Sequence, residues 1–179
     1  MFKAAQCVLV VVDVQGKLAS LMHEKDRLFH NILATIKAAY ILEIPVLWTE
    51  QAPEKIGATV PEVADLLTGL TPISKTTFSC CGEKRFLDTL KELKRKQVVL
   101  VGIEAHVCVY QTAADLVARG YEVQVVADAV SSRNADHKTW GLERIRQSGA
   151  GVTCCEALAC ELLGKAEGDK FKLILNLIK

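Results

Sequence analysis

Three residues in this sequence have side chains suited to nucleophilic catalysis, and each follows a short apolar run. Asp13 ends CVLVVVD, Lys75 ends TPISK, and Cys108 comes shortly after QVVLVGI. A thiolate is the reactive form of cysteine, and a helix N-terminus together with a nearby cation lowers a thiol pKa to roughly 3.5–7.5. Lysine supplies such a cation, while an aspartate can take the thiol proton and return it to a leaving amine. The three residue types therefore favour covalent catalysis by Cys108.

Apolar runs alternate with amphipathic stretches along the chain. Continuous β-branched runs predict strands that are buried on both faces, and apolar residues at helical spacing predict helices. The predicted strands are residues 7–14, 45–51, 71–75, 97–103, 121–130 and 150–155. The predicted helices are residues 27–43, 61–67, 82–96, about 106–118, 135–149, 156–164 and 171–179. This alternation is typical of an α/β fold in which helices cover both faces of a parallel sheet.

The candidate residues all fall at the carboxyl ends of predicted strands. In doubly wound sheets, ligands bind outside those ends, where the strand order reverses. Other polar residues at these ends are Gln15, Thr49, Glu50, Glu104, His106 and Asp128. Backbone N–H groups in the first turn of a helix have no intrahelical partner, so those near Cys108 can stabilise an oxyanion. Taken singly, Cys108 is interpretable as a packing residue, Asp13 as a cap or ion-pair partner, and Lys75 as a solvated loop residue. Their shared location favours a catalytic site.

Composition and motifs exclude several classes of function. The 179 residues fit one domain, 1–179, and the formal net charge is +1 without a basic stripe, so nucleic acid is not an expected partner. No apolar stretch reaches the ~20 residues of a membrane span. The sequence contains neither GxGxxG nor GxxxxGK[ST] nor GxSxG, and its histidines and cysteines lack zinc-ligand spacing. We therefore expect no cofactor and no metal. Seven cysteines without a secretory signal indicate a reduced, cytoplasmic protein.

Three segments carry a resemblance to a known family. VVVDVQ, ISKTTFS and the long block GIEAHVCVYQTAADLVARGYEVQVVADAVSSR resemble the isochorismatase-like, or cysteine hydrolase, superfamily over about residues 5–165. LWTEQAPEKIGATVPE further resembles the isochorismatase domain-containing branch. The resemblance implies a three-layer α/β/α, Rossmann-like fold whose six-stranded parallel sheet has the order 3-2-1-4-5-6. It also implies homo-oligomers.

The resemblance also implies roles for individual residues. Asp13, Lys75 and Cys108 would form the catalytic triad. The backbone N–H groups of Glu104 and Cys108 would form the oxyanion hole, next to a cis peptide between Ile103 and Glu104. Gln15 and Phe78 are candidate contacts for a small-molecule substrate; Phe78 is equally interpretable as fixing its loop.

Two departures from relatives of known chemistry narrow the expected reaction. Nicotinamidases place a D-x-H metal motif after the second strand, whereas this sequence reads WTEQAPEK there. True isochorismatases hydrolyse an enol ether and lack the nucleophilic cysteine, so Cys108 favours amide or carbamoyl hydrolysis. Three alternatives remain open: hydrolysis of an ester or enol ether, a thiol-redox or sensing protein in which Cys80 or Cys81 resolves Cys108, and an interaction module that has kept the fold.

Overall fold

A parallel sheet forms the centre of the computed structural model, which describes residues 1–178. Its strands are β1 Cys7–Val12, β2 Val46–Gln51, β3 Ile73–Lys75, β4 Gln97–Ile103, β5 Glu122–Ser131 and β6 Gly151–Thr153. They pair in the order β3-β2-β1-β4-β5-β6, and every pair is parallel. The predicted six-stranded sheet and its order are confirmed.

Helices connect the strands and cover both faces of the sheet. They are α1 Gly16–Ser20, α2 Lys25–Ile41, α3 Pro53–Ile56, α4 Pro61–Ala64, α5 Lys84–Glu92, α6 Tyr110–Ala118, α7 Ala135–Gln147, α8 Cys155–Leu163 and α9 Gly168–Leu175. Short 3-10 turns lie at Ala4–Gln6, Asp65–Leu67 and Cys80–Gly82, and a π-helical turn lies at Ala105–Val109. No helix within residues 1–178 is both long enough and apolar enough to cross a membrane.

The alternation of side chains along β1 explains the three layers. All six residues of β1 are buried. Leu9 and Val11 belong to the core that includes α2 and α8, while Val8 and Val10 belong to the core formed with α5, α6 and α7. Because successive side chains point to opposite faces, a strand that is apolar at every position needs cover on both sides. Burial of each such side chain contributes roughly 1.5–3 kcal/mol.

The structure differs from the predicted boundaries where periodicity carries little information. Helices α1 and α3 were not predicted because four or five residues are too few to show a helical period. The predicted helix 82–96 is shorter, since a 3-10 turn precedes α5. The predicted strands 71–75 and 150–155 shorten to β3 and β6. The predicted terminal helix 171–179 is found as α9, and Lys179 lies outside the described residues.

The carboxyl ends of β1 and β4 lie side by side at the centre of the sheet. Val12 pairs with Gly102, whose φ is +116° and whose added Cβ would lie 2.1 Å from the Val12 carbonyl oxygen. Only glycine permits this approach. The chain connects β1 to β2 in one direction and β4 to β5 in the other, so the strand order reverses here. Asp13 and the segment after Ile103 therefore face each other at the position where doubly wound sheets bind ligands.

Candidate active site

Asp13 is held rigidly at the end of β1. Its φ is +51°, and its backbone N–H donates to the Thr49 carbonyl oxygen at 3.2 Å. One carboxylate oxygen, Oδ1, accepts from the Thr49 hydroxyl at 2.7 Å, and the other, Oδ2, accepts from Lys75 Nζ at 2.6 Å. The side chain is 5% exposed. Both oxygens of this buried carboxylate therefore have a partner, Thr49 on the neighbouring strand β2 and Lys75 on β3 beyond it.

Lys75 is a buried cation rather than a solvated loop residue. Its side chain is fully buried, and Nζ donates to Asp13 Oδ2 at 2.6 Å and to Gln51 Oε1 at 2.7 Å. The carbonyl oxygens of Phe78 and Thr77 also lie 3.0 and 3.1 Å from Nζ. A buried ammonium is tolerated only when it is paired and hydrogen-bonded, and this one meets both conditions.

Gln51 supports Lys75 in a way that the sequence analysis missed. It ends β2 and pairs in register with Lys75, so its side-chain oxygen meets the ammonium directly. Its Nε2 donates to the Thr76 carbonyl oxygen at 2.9 Å, which fixes the orientation of the amide. The only signal in the sequence was its position at the end of a predicted strand.

Cys108 lies in the π-helical turn that leads from β4 into α6, not in a regular first α-helical turn. The Ile103–Glu104 peptide before the turn is cis, as the resemblance implied. Helix α7 packs closely on the turn, since a Cβ added at Gly141 would lie 2.7 Å from the His106 nitrogen. Cys108 is 8% exposed, and the small exposed area faces the cleft described below.

The surroundings of Cys108 favour its protonated form. Burial raises the pKa of the Cys108 thiol above its usual value, and the negative charge of Asp13 raises it further. The positive charge of Lys75 lowers the pKa, but this effect is smaller than those of burial and of Asp13. The pKa-lowering effect that a helix start and a lysine can have on a thiol is therefore outweighed here by burial and by Asp13. The thiol lies instead beside a carboxylate able to take its proton.

A cleft of about 420 Å³ opens at the carboxyl ends of β1, β2 and β4. Its lining brings together almost all of the predicted site and adds Leu18, Ile56 and Val107, which the sequence analysis did not single out. The lining residues are Asp13, Gln15, Leu18, Gln51, Ile56, Phe78, Ile103, Glu104, Val107 and Cys108. Lys75 lies behind Asp13 and does not line the cleft.

Gln15 and Phe78, the two candidate substrate contacts, both line this cleft. Gln15 is completely buried, and its amide already bonds to the backbone. Its Nε2 donates to the carbonyl oxygens of Gln51 and Gly57 at 3.1 and 2.6 Å, and its Oε1 accepts from the Gln51 N–H at 2.6 Å. Phe78 is 55% exposed, and its carbonyl oxygen accepts from Lys75. Gln15 thus fastens β2 and the α3 loop to β1, while Phe78 leaves much of its ring uncovered.

Glu104 and Arg133 form an ion pair beside the nucleophile. The backbone N–H and the Nε of Arg133 both donate to Glu104 Oε1, each at 3.1 Å. His106 does not line the cleft: its Nδ1 lies 2.9 Å from the Ser132 hydroxyl, and its ring contacts the His137 ring in a tilted arrangement with centroids 4.6 Å apart. Burial lowers the pKa of His106, which keeps the ring neutral at physiological pH.

The remaining cysteines are free thiols with no sign of activation. Burial raises the pKa of Cys80 to about 11 and the pKa of Cys81 to about 12. Cys80 Sγ lies 3.7 Å from the Thr49 hydroxyl, and its backbone N–H donates to Thr112 Oγ1 at 3.0 Å.

Within residues 1–178, no three histidine, cysteine, aspartate or glutamate residues are placed to hold a metal ion. Glu50, which follows Thr49, instead accepts from the Thr59 N–H and hydroxyl.

Comparison with known proteins identifies the family. Residues 7–157 match the model of the isochorismatase domain. The chain belongs to the isochorismatase family. Isochorismatase domain-containing protein 2 of Homo sapiens is 39% identical, covering 96% of this chain and 82% of that protein. The secreted isochorismatase effector Isc1 of Phytophthora sojae (strain P6497) is 40% identical, covering 96% and 84%. The predicted family and its branch are confirmed, and membership in this family supports a hydrolase.

Solved structures of isochorismatase-fold proteins superpose closely. A structure described as the MAR1 ribonuclease of Caenorhabditis elegans is 42% identical, with a TM-score of 0.92 over 99% of this chain and 91% of the other. The YcaC gene product of Escherichia coli, described as an octameric hydrolase of unknown specificity, is 25% identical. It gives a TM-score of 0.92 over 98% of this chain and 89% of the other. The predicted fold is thereby confirmed in full.

Proposed function

We propose that this isochorismatase-family protein is a cysteine-dependent hydrolase that cleaves a small amide or carbamoyl substrate through a thioester. One observation carries the proposal: a buried Asp13–Lys75 pair, joined at 2.6 Å, lies beside the Cys108 thiol at the base of a small cleft. A nucleophile, a base within reach of it and a group that orients the base are the recurring parts of covalent catalysis. The triad assignment rests on this geometry together with the family.

In the first half-reaction, Cys108 Sγ attacks the substrate carbonyl carbon while Asp13 takes the thiol proton. The backbone N–H groups of Glu104 and Cys108 stabilise the oxyanion that forms. Collapse of the tetrahedral intermediate breaks the C–N bond, and protonated Asp13 gives its proton to the leaving nitrogen. Lys75 stays charged throughout and balances the negative charge of Asp13 both before the attack and after Asp13 has given its proton to the leaving nitrogen. The products are a free amine and a thioester on Cys108.

In the second half-reaction, Asp13 takes a proton from water, and the oxygen attacks the thioester carbon. The second tetrahedral intermediate breaks its C–S bond and releases a carboxylic acid, or a carbamic acid from a carbamoyl substrate. The departing sulfur takes the proton back from Asp13. The site returns to a neutral thiol beside an ionised carboxylate, which is the state that the pKa of Cys108 favours.

The charge of the cleft favours a small molecule over RNA, although one similar protein is described as a ribonuclease. An RNA phosphodiester is an anion, and recognition of RNA relies on basic and aromatic side chains. Among the described residues that line the cleft, two are carboxylates and none is lysine or arginine.

Since the YcaC product is described as an octamer, we also propose that this chain forms homo-oligomers. Cytoplasmic location stays a prediction, because one similar protein is named as secreted.

The test is turnover of a panel of small amides, carbamoyl compounds, esters and vinyl ethers by the wild type and by Cys108→Ala. We expect amide hydrolysis in the wild type and a loss on the order of 10⁴-fold or more in the variant, because the nucleophile acts as a unit with its base. The exposed Cys160 provides a matched control, Cys160→Ala, which should keep full activity. Mass spectrometry of a quenched reaction should show an acyl group on Cys108.

Each other outcome identifies an alternative. Amide hydrolysis retained in Cys108→Ala would refute the thioester mechanism. Activity confined to vinyl ethers, with no acylated Cys108, would favour isochorismatase-type chemistry. A reversible disulfide between Cys108 and Cys80 under mild peroxide, without turnover of any compound in the panel, would favour the thiol-redox alternative.

A further inference from the structure

Glu104 presents a carboxylate oxygen that the described structure leaves free. Arg133 donates twice to Oε1, and no donor within residues 1–178 reaches Oε2. The residue is 8% exposed, yet Oε2 is not among the fully buried unpartnered atoms of the described chain, which are Trp48 Nε1 and Gln124 Oε1. Oε2 therefore reaches accessible space, and the space that Glu104 lines is the cleft beside Cys108.

Two cations beside this cleft, Lys75 and Arg133, are each paired with one of its carboxylates. The Lys75 ammonium is surrounded by four oxygen acceptors and lies behind Asp13. The Arg133 guanidinium is paired with Glu104, and 58% of its side chain is exposed. Within the part of the chain that the structure describes, the cleft lining contains two carboxylates and no basic side chain. Although each carboxylate is paired, Asp13 and Glu104 line the cleft and their cations do not, so an anionic substrate would lie nearer to the carboxylates than to either cation.

We propose that Glu104 selects the substrate of this site. Its free Oε2 accepts a hydrogen bond from an N–H group of a small, non-anionic amide, and its charge disfavours substrates that carry a carboxylate or phosphate. Arg133 is a positioning residue, because its two donors hold Oε1 and thereby orient Oε2. The inference rests on the proposed function, since it specifies the substrate class of the same site.

Glu104→Gln isolates this role with little change in shape. The Gln amide oxygen can still accept from Arg133, while the NH₂ group replaces Oε2. The variant therefore turns the acceptor in the cleft into a donor and removes the negative charge. A purely structural role for Glu104 predicts a loss of stability without a change in selectivity.

The experiment measures alkylation of Cys108 by iodoacetamide and by iodoacetate, resolved by mass spectrometry. Iodoacetamide is neutral and carries amide N–H groups, whereas iodoacetate carries a negative charge and has no N–H group. Exposed Cys154 and Cys160 in the same chain serve as internal references for their intrinsic reactivity. We expect the ratio of the iodoacetamide rate to the iodoacetate rate to be at least about tenfold larger at Cys108 than at the references. N,N-dimethyl iodoacetamide, which is neutral but has no N–H, should react with Cys108 more slowly relative to the references.

Variants complete the test. Glu104→Gln should lower the Cys108 ratio by about fivefold or more, since one of the two charges facing the cleft is removed. Glu92→Gln, the same substitution at an exposed position of α5, should leave the ratio unchanged. The reagent comparison on wild type needs no variant, so it decides the question even if Glu104→Gln does not fold.

A Cys108 ratio equal to that of the exposed thiols would overturn the inference, as would an unchanged ratio in Glu104→Gln. The readout is independent of turnover. If Cys108 prefers iodoacetamide but no amide in the panel is hydrolysed, the selectivity of the site is supported and the proposed hydrolase function fails. If amides are hydrolysed and Cys108 shows no preference, only the selectivity inference fails.

Discussion

Replacing Asp13 with asparagine should make Cys108 more acidic and at the same time abolish hydrolysis. Asp13 raises the pKa of the Cys108 thiol through its negative charge, whereas Lys75 lowers it. In Asp13→Asn, the Lys75 ammonium keeps Gln51 Oε1 and two carbonyl oxygens as acceptors, so the cation stays in place. The thiol would then lose its repulsive neighbour and keep its attractive one.

The size of the effect follows from the opposing charges. A neighbouring charge shifts a pKa by about 1–3 units, and we take a fall of about 2 for Cys108. The thiolate fraction at pH 7 then rises about a hundredfold. A less basic thiolate is also less nucleophilic, with a Brønsted coefficient of about 0.5, which removes about tenfold of this gain. We therefore expect alkylation at pH 7 to be about tenfold faster in Asp13→Asn. Hydrolysis should fall by about 10²–10⁴-fold because the proton donor to the leaving nitrogen is gone.

The assay is the rate of Cys108 alkylation by iodoacetamide from pH 6 to pH 10 in the wild type and in Asp13→Asn. Asp88→Asn, at a half-exposed position of α5, is the control for a general charge effect. The rate of Cys108 alkylation should be about tenfold higher than in wild type across this pH range only in Asp13→Asn, because removing a negative charge favours the thiolate. If alkylation in Asp13→Asn is no faster than in wild type, Asp13 does not set the protonation of Cys108 and the proposed acid–base role fails.

Two further predictions concern the stability of the site. Lys75→Met should destabilise the protein by about 3–5 kcal/mol in urea unfolding at pH 7, because it leaves Asp13 buried without a counter-ion. Adding Asp13→Asn should restore part of that loss, and a single-variant loss below about 1 kcal/mol would contradict the ion pair. Gln15→Met should cost about 2–4 kcal/mol and raise KM, because it removes three hydrogen bonds to the backbone of Gln51 and Gly57. Unchanged hydrogen exchange at the Gln51 N–H would contradict this role.

The sequence was sufficient to bring the three triad candidates to one edge of the sheet. Asp13, Lys75 and Cys108 each follow an apolar run, and the carboxyl ends of parallel strands lie on the same edge. The alternation of strands and helices gave the layers but allowed several strand orders. The resemblance to the family supplied the observed order, in which the ends of β1 and β4 are neighbours.

Contacts that depend on register or on a local departure from helical geometry were not predictable. Gln51 meets Lys75 because β2 and β3 pair in one particular register, across 24 positions of sequence. Arg133 reads as a loop residue until the fold brings it to Glu104, 29 positions away. The apolar spacing after β4 predicted a regular helix, and no propensity distinguishes the π-helical turn that carries Cys108.

The protonation of Cys108 shows that identifying the residues around a thiol from the sequence is not enough to predict its protonation state. A helix start and a lysine can lower a thiol pKa, but the buried cation of Lys75 already balances the carboxylate of Asp13. A resting thiolate would place two anions and one cation in a largely dry site, which the environment penalises through desolvation and repulsion. If one proton moves from Cys108 to Asp13, the site holds one anion and one cation both before and after the transfer. The buried pair therefore makes proton transfer during attack, rather than a preformed thiolate, the lower-energy route to the nucleophile.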